Sequence, residues 1–227
     1  MPIEEHIAEP LRRRLYLPAY RVAEAARYAG AKPGTVSSWH TRGGRLGPVL
    51  PGREPGKPLS YLQLVEAAFV ADFRSIGISM PKIRKARDYL MKRFDAEYPF
   101  AQLAVRQAGA HIVMDLLDIE PDADLGSLII ADSKGQLAWS EMVEDRFAQF
   151  EYVQEIALRW HVDGWQSPVV IDARVSFGAP SVKGVPTWAL RGRRIAGETI
   201  EDIADDFGLQ IDEVEAALAF EHIPLVA

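Results

Sequence analysis

Cysteine is absent from all 227 residues. That excludes disulfide staples, thiolate metal sites and cysteine nucleophiles together. Long apolar runs are missing as well. No stretch approaches the ~18 residues of a membrane-spanning helix, and the opening MPIEEHIAEPLRRR has no apolar segment of the kind a secretory leader carries. The chain is therefore expected to be soluble and cytoplasmic, without a membrane partner. Histidines are sparse and dispersed, at positions 6, 40, 111, 161 and 222, and no pair has the i,i+4 spacing of a helical metal site. Gly43-Gly44-Arg45-Leu46-Gly47 lacks the Lys-Ser/Thr of a phosphate loop. Asp122/Asp124 and Asp205/Asp206 are most simply solvated carboxylates, and His161-Val162-Asp163 is too short a pattern to support a reaction. No catalytic residue, metal site or cofactor is expected, so the chain is not expected to be an enzyme.

What is present is a hydrophobic content of 48% and a charge that is unevenly divided. The net charge of −6 alone argues against nucleic acid. Its distribution argues otherwise. Residues 1–58 carry 10 Lys/Arg against 5 Asp/Glu, whereas residues 101–167 carry 4 against 12. Residues 59–100 are mildly basic and 168–227 acidic. This is the pattern of a basic binding module joined to an acidic one.

The basic end contains AARYAGAKPGTVSSWHTRGG, residues 25–44. Val22, Ala25, Ala26 and Ala29 mark one helix face, Gly30 ends that helix, and Pro33 suits the first turn of the next. The second helix is predicted to run to about Thr41 with Val36 and Trp39 inward. Lys32, Thr35, Ser37, Ser38, His40 and Arg42 are left outside, with Arg45 in the loop beyond. The segment thus reads as a helix-turn-helix, and its outward residues, free of carboxylates, suit contacts with phosphates and base edges of double-stranded DNA. Residues 43–58 hold five Gly and four Pro and are expected to form loop or wing.

Further along, Leu62, Val65, Ala68, Phe69 and Phe73 predict a helix broken at Gly77. Ser79 and Pro81 then open another, with Ile83, Ala86, Leu90 and Phe94 inward and Pro99 as its stop. Between 110 and 172 the short runs HIVMDLL, SLIIAD, FEYVQ, ALRWHV and VVID predict a small antiparallel sheet, with a helix near 140–148. The tail is helical again. Thr199 with Asp202 resembles a capping box, Ile200, Ile203, Ala204 and Phe207 form a stripe, and a last helix carries Val214, Ala217 and Leu218. Ala204, Gly208, Val214 and Ala217 repeat the spacing of Ala26, Gly30, Val36 and Trp39. The second copy presents Asp212, Glu213, Glu215 and Glu221, whose charge disfavours entry into a DNA groove.

The Tyr-x-Val-x-x-Ala-Ala opening at Tyr20, with Gly30 and Thr35-Val36-Ser37-Ser38-Trp39, resembles the winged helix of MerR-like regulators. The run 169–221, with Phe177-Gly178-x-Pro180, Gly184, Pro186-Thr187 and Ala196-Gly197-Glu198, looks like the DUF433 family. A MerR-like head on a DUF433 tail is similar to VapB-type antitoxins. Taken with the residue patterns above, the chain is expected to be α+β in three parts: a MerR-like winged helix-turn-helix with its helical extension at 1–100, a small antiparallel sheet in a β-rich connection at 101–167, and a helical, helix-turn-helix-like DUF433 unit at 168–227. The resemblance implies a DNA-binding autorepressor that neutralises a PIN-like ribonuclease toxin, and a homodimer is expected because one helix-turn-helix covers too few bases for the usual affinity. Lys183, Arg191, Arg193 and Arg194 lie in an acid-free segment, 174–194, and become candidates to meet the carboxylates of that toxin. A different possibility is a MerR-like, ligand-responsive transcription regulator without a toxin, which a cavity lined by Trp139, Tyr152 and Trp160 would favour. The dimer contact is expected from the Leu59–Phe73 helix or from the tail helices.

Overall fold

In the computed structural model, the described residues are 8–41, 47–50, 52–54, 56–75, 77–102, 144–153 and 155–225. The strands expected before residue 144, the turn at 133–136 and Trp139 lie outside them, as do Arg42 and Arg45. The fold is mixed α+β, with helical regions on either side of a small antiparallel sheet. The chain groups into two compact units, residues 1–148 with 152–157, and residues 149–151 with 158–227.

In the first unit α1 spans Glu9–Tyr16, α2 Val22–Tyr28 and α3 Pro33–Thr41. Ala25, Ala26 and Ala29 are buried, and these small residues let α3 pack closely on α2. Gly30 adopts φ +68°, the left-handed conformation that ends α2, and the Ala31 amide returns to the Ala26 carbonyl at 2.8 Å. Val36 and Trp39 face the core as predicted. The loop beyond α3 is tied back by the Leu50 amide on the Trp39 carbonyl at 3.0 Å, and Tyr20 and Leu59 form an antiparallel bridge.

Helix α4, Tyr61–Ser75, opens with Ser60 and Gln63 in a reciprocal cap and is buried on every side from Tyr61 to Val70. A helix enclosed all round is a central post, packed by α1, α2 and α5. It therefore has no apolar face to offer a second copy, and the expectation that the Leu59–Phe73 helix mediates dimerisation is corrected. Helix α5, Met80–Phe94, begins at Ser79 and Pro81 as predicted. It ends at Phe94, before Pro99, because Asp95 turns left-handed at φ +50°; Pro99 instead opens a short 3-10 turn, Pro99–Ala101.

One buried ion pair joins these pieces. Glu66 (1% exposed) accepts from Arg87 Nε at 2.7 Å, and its other oxygen accepts from the Phe100 amide at 2.9 Å. Arg87 also donates to the Glu97 carbonyl at 2.6 Å. Burial pushes the Glu66 carboxyl above its ordinary value, and the adjacent Arg87 guanidinium opposes that rise. A helical segment at 144–148 carries Phe147, packed on Phe69, and Arg146, paired with Asp72.

In the sheet β1 is Phe150–Val153, β2 Ile156–Trp160, β3 Val170–Asp172, β4 Pro180–Val182 and β5 Val185–Pro186, in the order β1-β2-β3-β4-β5. Trp160 is fully buried and stacks on Phe150 at 5.3 Å, in the core. Arg159 pairs in register with Asp172 and bonds its carboxylate at 3.0 Å. Lys183 and Gly184, both at positive φ, form the two-residue turn between β4 and β5. Helices α6, Thr187–Ile195, α7, Ile200–Phe207, and α8, Ile211–Phe220, follow. The second unit thus carries β3, β4 and β5 ahead of its helices and is not helical alone, because VVID pairs with β2 and β4 and the turn at 183–184 adds β5. Val169, Val182, Leu190, Ile203, Val214 and Leu218 fill its core, and Thr187 Oγ1 bonds Glu221 at 2.6 Å.

Removing one partner of the Glu66–Arg87 pair strands a buried charge. Glu66→Ala is expected to lower unfolding free energy by about 3–5 kcal/mol in urea titrations, while Glu66→Leu with Arg87→Met recovers most of the loss. Additive losses in the double variant would contradict the account.

Candidate nucleic-acid interface

Helix α3 projects from the α2–α3 pair with one face inward and the other in solvent. Lys32, Thr35 and Thr41 are exposed; Ser37 and Ser38 are half-buried. The Ser38 hydroxyl donates to the Thr35 carbonyl at 2.7 Å, and Thr41 Oγ1 to the Ser37 carbonyl at 3.0 Å. These hydroxyl protons are committed inside the helix, which leaves their oxygens as acceptors. Lys32 and Thr35 are the exposed side chains with protons to offer a phosphate or base edge. No carboxylate stands on α3. On the neighbouring α2, Arg21 and Arg27 are exposed and Glu24 accepts from the Arg21 amide at 2.8 Å.

His40 is the correction on this helix. It is 6% exposed rather than outward. Val36, Trp39 and His40 stand at i, i+3 and i+4, so all three share the inward face, and the returning loop at Val49–Leu50 belongs to the same buried set. Neither imidazole nitrogen has a hydrogen bond of normal geometry, although the Leu50 backbone lies near enough to favour the charged form somewhat. Burial first, then the charge of Arg53, pulls the imidazole down to about 4 from 6.5. His40 is therefore neutral at pH 7 and packs the head rather than reaching DNA.

The tail repeats the backbone of this motif. Gly208 adopts φ +66° and the Leu209 amide returns to the Ala204 carbonyl at 2.9 Å, the counterpart of the Ala31 to Ala26 bond. Val214 and Ala217 are buried like Val36 and Trp39. The outer face differs. Of the acids expected to stand out on α8, Asp212 is exposed while Glu213, Glu215 and Glu221 are half-buried. Glu213 accepts from the Gln210 amide at 2.9 Å, which holds its carboxyl below the ordinary value, aided by Lys183.

The four cations expected to act together in the tail are not equivalent. Lys183 pairs with Glu213 at 2.9 Å. Arg193 is held by Glu198 and by Asp206, the latter at 2.5 Å, and sits 5.6 Å over the Phe207 ring. Arg194 donates to the Glu198 carbonyl at 3.0 Å. Arg191 alone of the four is exposed with no ion pair among the described residues. Arg174 is bound to Asp172, whose burial opposes ionisation, but the Arg174 and Arg159 hydrogen bonds outweigh it and keep the carboxyl low.

Residues 169–220 match the DUF433 family, described as a protein of unknown function. Across 92% of this chain and 96% of the relative, the sequence is 26% identical to "Putative antitoxin VapB45" of Mycobacterium tuberculosis. It is 24% identical to the uncharacterized protein Rv2308 of the same bacterium, over 88% of this chain and 89% of that one. The fold is shared with the crystal structure of Rv2018 from Mycobacterium tuberculosis, at a TM-score of 0.70 and 24% identity, covering 90% of this chain and 99% of that one. The chain is thus similar over nearly its whole length to a protein named as an antitoxin, and its residues 169–220 match the DUF433 family. Among the described residues no three metal-capable side chains cluster, and no helix is long and apolar enough to cross a membrane.

The depressed His40 imidazole has a thermodynamic consequence. The unfolded chain takes up a proton as pH falls through about 6.5, whereas the folded head resists until about 4. Stability contributed by neutral His40 is complete above that upper value and is lost toward the lower one, by up to roughly 3 kcal/mol. Urea titrations of wild type and His40→Asn between pH 7 and 4 should show a slope that the variant lacks. Parallel profiles would contradict the burial of a neutral imidazole.

Proposed function

We propose that the chain is an antitoxin and transcriptional autorepressor of a toxin–antitoxin pair. Its first unit acts as a MerR-like winged helix-turn-helix that reads the operator ahead of its own gene. Its DUF433-type unit engages a PIN-like ribonuclease toxin. The observation that carries the reading is the contrast between the two helix–Gly–helix motifs. They share one backbone geometry, but the outer face of α3 carries Thr and Ser without a carboxylate and Lys32 stands just before it, whereas α8 carries acids. The like charge of α8 and phosphate makes groove entry there unfavourable, and the neutral-to-basic α3 has no such barrier.

In this reading α3 lies in the major groove, with Thr35 and Ser38 toward base edges, Lys32 toward phosphate, and Ser37, Arg42 and Arg45 flanking them. A single helix-turn-helix covers few bases, so two copies reading two half-sites supply the affinity. Similarity to a protein named as an antitoxin supports the regulatory role, and the carboxylate cluster of a magnesium-dependent nuclease suits a cationic partner surface.

DNA from upstream of the gene, titrated at several salt concentrations, tests the head. Lys32→Ala should weaken binding across sequences and reduce the salt slope by about one. Thr35→Ala should weaken the operator selectively. Co-expression with the product of the adjacent gene tests the rest: the two should copurify and the neighbour's ribonuclease activity should fall. Binding unaffected by both head variants, or a neighbour that neither copurifies nor is inhibited, would contradict the corresponding half of the reading.

A further inference from the structure

Helix α6 has a solvent face that the packing of its own unit leaves unexplained. Thr187 and Leu190 turn inward. Trp188, Arg191, Gly192 and Ile195 stand at i, i+3, i+4 and i+7 and so share another face. Trp188 is 61% and Ile195 64% exposed, and Arg191 and Gly192 are exposed between them. Two large apolar groups flanking a cation on one short helix amount to an apolar patch with a positive centre.

Gly192 sharpens the picture. It lies inside the helix, where glycine is destabilising relative to alanine. It does not have the left-handed backbone that would require glycine, and a Cβ built on it would meet nothing within 4 Å. Neither backbone conformation nor packing within the chain calls for glycine there. A gap in the middle of an exposed apolar face is what close approach of another backbone requires.

Charge identifies the kind of occupant. From residue 173 to 197 the chain has no acid, and the nearby carboxylates Glu198 and Asp206 are already engaged by Arg193. A second copy crossing at Gly192 would bring Arg191 against its own mate with no carboxylate between them, which is unfavourable. A heterologous partner with carboxylates set in an apolar surface fits both the cation and the flanking side chains.

We infer that the Trp188–Arg191–Gly192–Ile195 face of α6 is the docking surface for the toxin, and that it receives an acid-bearing apolar helix or cleft on that protein. This rests on the antitoxin reading and narrows it: Arg191 makes the charged contact, while Lys183, Arg193 and Arg194 serve the unit's own structure.

The test uses the full chain and the purified product of the adjacent gene, with affinity measured by calorimetry and thermal melting recorded for each variant. Gly192→Leu replaces a poor helix former with a good one, so its melting temperature should hold or rise while its affinity falls at least about tenfold. Arg191→Glu should fall by a similar factor and Lys183→Glu much less. Wild-type affinity in both Gly192→Leu and Arg191→Glu, with the wild type binding normally, would overturn the docking surface and leave the antitoxin reading in place. A wild type that does not bind the neighbour would overturn both. A fall in homodimer mass in Gly192→Leu, with neighbour binding intact, would assign the face to a second copy instead.

Discussion

The buried pair between Glu66 and Arg87 fixes what the rest of the first unit is built on. It clamps the central helix α4 to α5 and to the Pro99–Ala101 turn, at 2.7 Å across the ion pair and 2.9 Å to the Phe100 amide. From the start of α4 the constraint passes to Leu59, which exchanges backbone hydrogen bonds with Tyr20 at 2.7 and 2.9 Å. Tyr20 leads into α2, whose small residues seat α3. The direction in which α3 points is therefore set by a chain of short, mostly buried contacts that ends at a charge pair. Such a pair adds little net stability over a hydrophobic substitute, but it tolerates few geometries once both charges are out of water.

The two units make opposite use of one local device. A left-handed glycine, with the next amide bonded to the carbonyl five residues before that amide, ends the first helix in each motif, and inward apolar residues seat the second. That backbone is indifferent to function. What differs is the outer face: donors and hydroxyls on α3, acids on α8, and on α6 an apolar face around one cation. The two motifs are told apart by which side chains the shared geometry leaves outside.

Much of this was legible in the sequence where a local rule applied. Gly30 and Gly208, the Thr199–Asp202 cap, Pro33, Ser79 with Pro81, and the inward Val36 and Trp39 all follow from propensity and period. The failures have physical causes. Helix α1, EPLRRRLY, has too few apolar residues to show a period. Helix α6, TWALRGRRI, was hidden because its exposed Trp and Ile blur the stripe that marks a buried face. Polarity suggested an outward His40, yet its i+4 relation to Val36 was the available signal. Glu66 and Arg87 lie far apart in the chain, so only the fold joins them; a lone acid inside a long uncharged run was the hint. The cations of 174–194 look alike by composition, and their division into paired and unpaired groups depends on Asp172, Glu198, Asp206 and Glu213, which the fold brings alongside.

The central claim is that α3, and no other helix, enters the DNA. A photoreactive residue placed at position 35 on α3, and in a second protein at position 212 on α8, each mixed with DNA from upstream of the gene, tests this most directly. Irradiation is expected to join position 35 to base atoms in the major groove at a defined site and to leave position 212 without adducts. Crosslinks from position 212 alone, or from neither position under conditions where the DNA is bound, would contradict it.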